Sequence, residues 1–166
     1  MERSLDLLHR RRSIRKYHDE QVSKEHIDAI LRAAMAAPSA RNKQSWHFIV
    51  IEDREMLNKL TEIHLYAQML KEATLCIIVC GDKENPFWVQ DCSAATQNIL
   101  LAATGLGLGS VWLGVHPNSQ RENEVASLCN IPEAYAPLCL IAIGHPAEDK
   151  PPIDRFDLAK IHIEKW

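Results

Sequence analysis

The sequence contains no apolar run of about 18 residues or more, so it predicts no membrane-spanning helix. It also contains no Gly/Ser-rich linker, internal repeat or low-complexity tract, and its formal net charge is only −3. A hydrophobic content of 46% with so little net charge excludes a mainly disordered chain and argues against a nucleic-acid-binding surface. Because domains most often have about 100–150 residues, we expect residues 1–166 to form a single globular domain.

The five cysteines lack the spacing of a disulfide framework or a metal site. No CxxC pair occurs, and Cys76, Cys80 and Cys139 lie inside apolar runs. This pattern is typical of reduced, buried thiols and predicts a cytoplasmic protein with no metal. The beginning, MERSLDLLHRRR, has charges on both sides of a short apolar stretch and does not resemble a secretory signal.

The common hydrolytic and nucleotide-binding motifs are also missing. There is no GxSxG, no Walker loop and no HExxH, HxH or HxxxH. The glycines at 105, 107 and 109 follow a predicted helix and precede a predicted strand. This order is the reverse of a dinucleotide-binding turn, so we interpret them as a helix end and a tight turn.

Hydrophobic spacing predicts strands and helices that alternate along the chain. Short apolar runs predict buried strands at 46–51, 75–80, 110–115 and 138–143. Helical spacing predicts helices after Ser23, after Asp53, along 89–103 and along 121–129. Alternation alone favours a parallel, doubly wound sheet, although it does not determine the order of the strands.

Two polar segments are candidates for binding a ligand. Residues 10–16 contain five cations and a serine, which suits a phosphate monoester, although a solvated turn or an RNA-binding patch has the same composition. Residues 38–46 form an amide-rich loop that precedes a buried strand and either holds a ligand or only connects two elements.

Five segments, in this order, resemble the FMN-dependent nitroreductase family, as a small, single-domain member. They are RRSIRKY at 11–17, APSARNKQSWHFIV at 37–50, GLGLGSVWLGV at 105–115, IGHPAEDKPPIDRF at 143–156 and IHIEKW at 161–166. The resemblance implies an α+β fold with a mixed, mainly antiparallel central sheet flanked by helices, in place of the parallel sheet. It also implies an obligate homodimer with two shared FMN sites, in which the tail from about 146 to 166 packs on the partner subunit.

The resemblance also assigns the residues that bind FMN. It places Arg11, Ser13, Arg15 and Arg155 at the phosphate, and gives Arg12 backbone or ribityl contacts. A loop from the other subunit lines the isoalloxazine, and Gln68 contacts the pyrimidine edge. The backbone of the third predicted strand completes the site, with the Gly114 amide near N5. The loop and strand residues are Pro38, Ser39, Ala40, Asn42, Leu113, Gly114 and Val115.

The implied activity needs no catalytic side chain, because the flavin itself carries the hydride. The resemblance implies ping-pong reduction of nitroaromatics, quinones or similar electron-poor acceptors by NADH or NADPH. Reductive dehalogenation, flavin fragmentation and a non-catalytic flavin-binding or sensor role remain alternatives, as does RNA binding by the arginine cluster. Arg41 and Lys43 make the loop more basic than is usual in the family, and they either favour an anionic substrate or NADPH, or face solvent. His116 follows the N5 strand and either reaches the pocket or belongs to an ordinary loop before Pro117.

Overall fold

A computed structural model describes residues 3–166, so the first two residues of the predicted domain lie outside it. The helices are α1 (Arg3–Arg10), α2 (Lys24–Met35), α3 (Arg54–Ile63), α4 (Trp88–Gly105) and α5 (Ser119–Cys129). The strands are β1 (Trp46–Ile51), β2 (Leu75–Asp82), β3 (Gly109–Gly114) and β4 (Tyr135–Gly144). Short 3₁₀ turns lie at Ala40–Asn42, Gln68–Lys71 and Leu158–Lys160.

The four strands form one sheet in the order β1-β2-β4-β3, and every neighbouring pair is antiparallel. The parallel sheet that alternation favours is therefore wrong, and the α+β fold that the resemblance implies is confirmed. Alternation fails here because α3 and the turn after it leave and re-enter the sheet at the same end. A single parallel bridge, between Ser13 and Ser110, makes the sheet mixed at its β3 edge.

Both faces of the sheet are covered by helices, which explains the continuous apolar runs in the central strands. Ile77 and Ile141 pack in one cluster with residues of α2 and α4. Ile78 and Leu140, which alternate with them, pack in a second cluster with residues of α3 and α5. A strand buried on both faces needs apolar side chains at every position.

The helix boundaries follow local chemistry. Ser23 and Asp53 accept hydrogen bonds from the third residue after them, at 3.2 and 2.9 Å, and so cap α2 and α3. Helix α4 ends at Gly105, and Gly107 has a φ of +77°, which confirms a helix end and turn in place of a phosphate-binding loop. No helix among residues 3–166 is long and apolar enough to span a membrane.

The segment after β4, residues 146–166, is hereafter the tail. It begins along the chain's own body, where Ala147 N donates to Lys16 O at 2.9 Å and Arg12 Nε donates to Pro151 O at 2.8 Å. From residue 151 onward every residue is exposed. Its large apolar side chains are included, since Ile163 is 85% and Trp166 100% exposed. The tail therefore carries apolar surface that its own chain leaves uncovered.

Candidate functional site

The basic segment 11–17 lies along the free edge of β3. Ile14 N donates to Ser110 O at 3.0 Å, and the buried Tyr17 hydroxyl donates to Ile14 O at 2.6 Å. Glycine allows this close approach, because a Cβ on Gly109 would lie 2.7 Å from Cγ2 of Ile14. Burial raises the pKa of Tyr17, so its hydroxyl stays neutral and keeps donating. The segment is thus held rigidly against the strand.

Arg11 and Arg155 lie close together without a carboxylate partner. Burial lowers the pKa of Arg11, and the positive charges of Arg12 and Arg155 lower it further. Within the described residues, neither the Arg11 nor the Arg155 guanidinium forms a hydrogen bond or an ion pair, and the Ser13 hydroxyl has no partner either. The two arginines line a cavity of about 340 Å³, which Asp154 also lines. Neighbouring like charges of this kind fit an anion such as a phosphate.

The side chains of Arg12 and Lys150 have structural partners instead. The Arg12 guanidinium donates to three carbonyls, those of His9, Arg11 and Pro151, at 2.6–2.8 Å. Lys150 Nζ donates to Ser13 O at 2.7 Å. These bonds fasten the tail to the basic segment and leave the Arg12 side chain engaged, so the predicted flavin contact of Arg12 stays a prediction.

A second cavity, of about 480 Å³, lies beside Gly114, and Arg15 also lines it. Glu148 anchors the Arg15 backbone, since Arg15 N donates to Glu148 Oε1 at 2.6 Å. This bond is the main cause that lowers the pKa of Glu148, with Lys150 adding to it. The residues that line this cavity are Arg15, His64, Tyr66, Met69, Trp112, Leu113, Gly114 and Arg121.

The backbone of Gly114 faces the free edge of β3 and not the neighbouring strand. Val115 N donates to Leu138 O of β4, and backbone groups alternate in direction along a strand, so Gly114 N–H points outward. The Gly114 carbonyl, on the same side, accepts from His64 Nε2 at 2.9 Å and from Arg121 Nη1 at 2.8 Å. A Cβ on Gly114 would meet no atom within 4 Å, so the space beside it is open to a ligand.

His64 is buried and uncharged. Its Nδ1 accepts from Tyr66 N at 3.2 Å, so the ring proton is on Nε2 and is donated to Gly114 O. Burial lowers the pKa of His64, the bond to Gly114 O partly offsets this, and Arg121 lowers the pKa again. Sequence motifs missed His64, Tyr66, Met69 and Arg121, because these residues lie outside the five matched segments.

The predicted pyrimidine contact, Gln68, is exposed in this protomer. Its Nε2 donates to Thr61 O at 3.0 Å and to Leu65 O at 3.4 Å. From the same part of the chain, Tyr66 and Met69 line the cavity beside Gly114. The flavin contact of Gln68 stays a prediction.

The polar loop lies at the opposite edge of the sheet from the arginines. It precedes β1, whereas Arg15 and Gly114 lie at β3, three strand spacings or about 14 Å away. The cavity beside Gly114 and the hollow lined by Ala40 and Arg41 of this loop share no lining residue. The structure therefore places the predicted site residues in three groups. Arg11 and Arg155 line one cavity, and Arg15, Leu113 and Gly114 line another. The loop residues Pro38, Ser39, Ala40 and Asn42 form the third group, at the opposite edge of the sheet.

The three side chains with open roles lie away from the cavity beside Gly114. Arg41 and Lys43 line a hollow of about 270 Å³ together with Asp82 and Glu84. His116 Nδ1 lies 3.0 Å from Glu122 Oε1, and its ring packs against Trp88 at 4.8 Å between centroids. The structure thus favours the loop interpretation of His116.

The sequence and fold match known proteins over most of the chain. Residues 8–145 match the profile of the Nitroreductase family. A relative from Archaeoglobus fulgidus, named as a candidate NADH dehydrogenase/NAD(P)H nitroreductase, is 50% identical over 100% of both chains. An FMN-dependent nitroreductase from Clostridium difficile superposes with a TM-score of 0.93 at 36% identity, covering 98% of this chain and 99% of its own.

A further structure, of a candidate nitroreductase from Desulfovibrio desulfuricans in complex with FMN, has a TM-score of 0.85 at 36% identity. It covers 99% of this chain and 98% of its own. The family profile covers well over half of the sequence, and the fold superposes on these two structures over nearly their full length. The chain therefore belongs to the nitroreductase family.

Proposed function

We propose that this protein reduces nitroaromatics, quinones or similar electron-poor acceptors with NAD(P)H in a ping-pong reaction. Membership of the family makes the chain a flavin-dependent oxidoreductase with FMN as its cofactor. The observation that carries the proposal is the pairing of two cavities along one rigid segment. One is lined by Arg11 and Arg155, which form no ion pair within residues 3–166, and the other lies beside the outward backbone N–H of Gly114.

Arg11, Ser13 and Arg155 are suited to hold the phosphate. Each guanidinium offers a fork of donors that matches phosphate oxygens, and the Ser13 hydroxyl adds a neutral donor. Burial is the main cause that lowers the pKa of Arg11, and the charges of Arg12 and Arg155 lower it further, so an anion between Arg11 and Arg155 would relieve part of this cost. The absence of an ion pair to either arginine among the described residues supports the phosphate assignment.

The cavity beside Gly114 is suited to hold the ring system. Bound FMN would supply the redox chemistry by accepting a hydride from NAD(P)H and passing it to the acceptor. The Gly114 N–H offers a hydrogen bond at a ring nitrogen, while Arg15 and Arg121 bring positive charge to the same cavity. Trp112 and Met69 supply apolar walls that displace water. The donor and the acceptor then use the one open face in turn, which makes the kinetics ping-pong.

A homodimer completes this site. Within one protomer the polar loop and Gly114 lie at opposite edges of the sheet, so the loop of a second copy is needed to line the ring. The exposed apolar side chains of the tail supply surface for the contact between copies. We therefore include in the proposal that the tail packs on the partner. A reducing, cytoplasmic location is also proposed, supported by five free cysteines.

The absorbance spectrum of the purified protein tests the proposal. We expect a yellow protein with one FMN per chain, bleached in anaerobic titrations by NADH or NADPH and re-oxidised by a quinone or a nitroaromatic compound. A colourless protein that takes up no FMN would contradict the proposal. A protein that binds FMN but does not turn over with any acceptor would point to the flavin-binding or sensor alternative.

A further inference from the structure

Asp91 is a buried carboxylate that the proposed chemistry does not use. It lies in the first turn of α4 and is 3% exposed. Its Oδ1 accepts from Ala40 N at 2.8 Å, and its Oδ2 accepts from Ser45 Oγ and Asn85 Nδ2, both at 2.9 Å. No cationic side chain among the described residues pairs with it. A buried charge held by three neutral donors is costly to keep, and this cost calls for an explanation.

The donors show what Asp91 holds in place. Ala40 and Ser45 are at the two ends of the polar loop, so a single carboxylate fastens both ends to α4. Asn85 belongs to the turn after β2 and connects that turn to the same carboxylate. Asp91 is therefore the junction of the loop, the turn and the helix.

The loop between these anchors has a backbone that needs external support. Arg41, Asn42 and Gln44 have φ values of 53°, 54° and 50°, in the left-handed region that residues other than glycine seldom adopt. Three such residues in four positions persist only when the surrounding structure fixes them, and such strain is typical of ligand-binding segments. A hydrogen bond from Gln44 N to Ser39 Oγ at 3.0 Å holds the loop internally, and Asp82 N donates to Ser45 O at 3.0 Å at one end. Within residues 3–166, Asp91 is the one side chain that bonds to both ends of the loop.

We propose that Asp91 is a positioning residue for the FMN site of the partner protomer. The inference rests on the proposed function, in which the loop lines the ring bound at the edge of β3 in the other copy. By fixing Ala40 and Ser45, Asp91 holds the loop ready before FMN binds. Its effect therefore appears in a site to which its own chain contributes only the loop.

Asp91→Asn tests the junction with little change of shape. The new amide has an NH₂ donor in place of one carboxylate oxygen. This donor faces the Asn85 Nδ2 donor, so the hydrogen bond between the two side chains is lost. Asn85 has no free alternative orientation, because its Oδ1 accepts from Phe87 N at 3.1 Å. We expect FMN to bind about tenfold more weakly in this variant, as for the loss of one or two hydrogen bonds to a charged group. Asp28→Asn, a matched change at an exposed position on α2, should bind FMN like the parent.

A second substitution is expected to rescue the first. In Asp91→Asn/Asn85→Asp the new carboxylate accepts from the new amide and from Phe87 N, and the Ser45 hydroxyl reverses its role and accepts. The double variant should recover most of the FMN affinity, whereas Asn85→Asp alone places two carboxylates together and should not. If the double variant bound FMN no better than Asp91→Asn alone, the inference that the hydrogen bonds of Asp91 position the loop would be overturned.

Mixed dimers test whether Asp91 acts on the partner's site. One protomer carries Arg11→Ala and the other, with a different tag, carries Asp91→Asn. If Asp91 acts across the dimer, both changes damage the same site and the other site is intact. At limiting FMN the mixed dimer should then retain about one FMN, while the Arg11→Ala homodimer and the Asp91→Asn homodimer should each retain little. If Asp91 acts within its own protomer, both sites are damaged and the mixed dimer should retain little as well, which would overturn the inference.

The parent protein separates failure of this inference from failure of the proposed function. A parent protein that binds no FMN overturns the proposed function and this inference with it. A parent dimer that binds two FMN, combined with Asp91→Asn homodimers of unchanged affinity, overturns only the role of Asp91. Ser45→Ala, which removes one bond and keeps the charge, should weaken FMN binding by less than Asp91→Asn, and a larger loss would also overturn it.

Discussion

The two edges of the sheet differ in how their candidate site residues are brought together. At the β3 edge, a segment far away in sequence pairs with the strand and places Arg15 beside Gly114 in one cavity. At the β1 edge, the polar loop is anchored to α4 through Asp91, and the hollow that it lines shares no residue with the cavity beside Gly114. In the proposed dimer, the first edge supplies the contacts of one protomer to FMN, and the loop at the second edge supplies those of its partner.

This difference has a simple physical origin. Segment 11–17 reaches β3 through backbone hydrogen bonds and through glycines that permit close contact, so its side chains are fixed within one chain. The loop is separated from that edge by the width of the sheet, which no rearrangement of a short loop can cross. In the proposed dimer, a second copy of the chain supplies the loop without any change in the fold.

The largest effect is expected from removing the apolar surface of the tail. In the variant with Leu158, Ile161 and Ile163 all changed to Ser, the dimer should dissociate more than about a thousandfold more readily. Each of the two tails loses three side chains that are exposed in the isolated protomer, and burial of each aliphatic side chain contributes about 1.5–3 kcal/mol. Sedimentation over a range of concentrations measures the change. Leu65→Ser, at a 73% exposed position outside the tail, is the control, and an equal effect there would contradict a specific role of the tail.

The next effect concerns the arginines of the β3 edge. Arg11→Ala with Arg155→Ala should weaken FMN binding about a hundredfold, because each loses charge-assisted hydrogen bonds to the phosphate. Fluorescence titration with FMN measures the affinity. Arg15→Ala should also weaken FMN retention far more than it slows reduction of the FMN-saturated enzyme.

Arg10→Ala is the matched control for this pair. Arg10 forms an exposed ion pair with Asp6 on the same helix and is not among the residues that line the Arg11–Arg155 cavity. Its loss should leave FMN affinity within about twofold, since exposed ion pairs contribute little. If Arg10→Ala weakened binding as much as the double variant, general positive charge and not a phosphate site would explain the result.

Substitution of two glycines of β3 distinguishes an effect on packing from an effect on ligand binding. Gly114→Ala should leave the thermal stability of the apoprotein unchanged and weaken FMN binding about tenfold, because its Cβ points into open space beside the proposed ring. Gly109→Ala should destabilise the fold by about 1–3 kcal/mol, because its Cβ would meet Ile14 at 2.7 Å. Thermal unfolding and FMN titration of both variants measure the contrast, and loss of stability in Gly114→Ala would contradict the open cavity.

Much of the fold could be predicted from the sequence, because its local signals agree. All four strands lie within one to three residues of the apolar runs, and Ser23 caps α2 as predicted. Strand direction could not be predicted from alternation, since it depends on which end of the sheet each connection returns to. The family resemblance supplied the antiparallel sheet that local spacing could not.

Only some residues of the candidate site could be predicted from the sequence. Arg11, Arg15 and Gly114 lie in matched motifs and could be predicted, because their chemistry is carried by residue type or by a strand position. His64 and Arg121 could not, since each acts only by reaching the Gly114 carbonyl from another element. Asp91 gives no sequence signal either. An acidic residue in the first turn of a helix is ordinary, and only its burial and its three donors distinguish it.

The smallest effect concerns His64, which supports the β3 edge through its hydrogen bond to Gly114 O. Its pKa is lowered in the folded protein, so near and below pH 6.5 the unfolded chain binds more protons at this position than the folded chain. His64 therefore makes the folded state less stable as the pH falls through that range, by at most about 1.4 kcal/mol per pH unit.

His64→Gln keeps a donor for Gly114 O and removes the titration of the imidazole. Urea unfolding of FMN-saturated protein between pH 7 and 5 should show a shallower loss of stability in His64→Gln than in the parent, while the exposed His18→Gln should match the parent. Equal slopes in all three proteins would mean that the hydrogen bond between His64 and Gly114 does not depend on a neutral imidazole, and that the β3 edge is held by the strand alone.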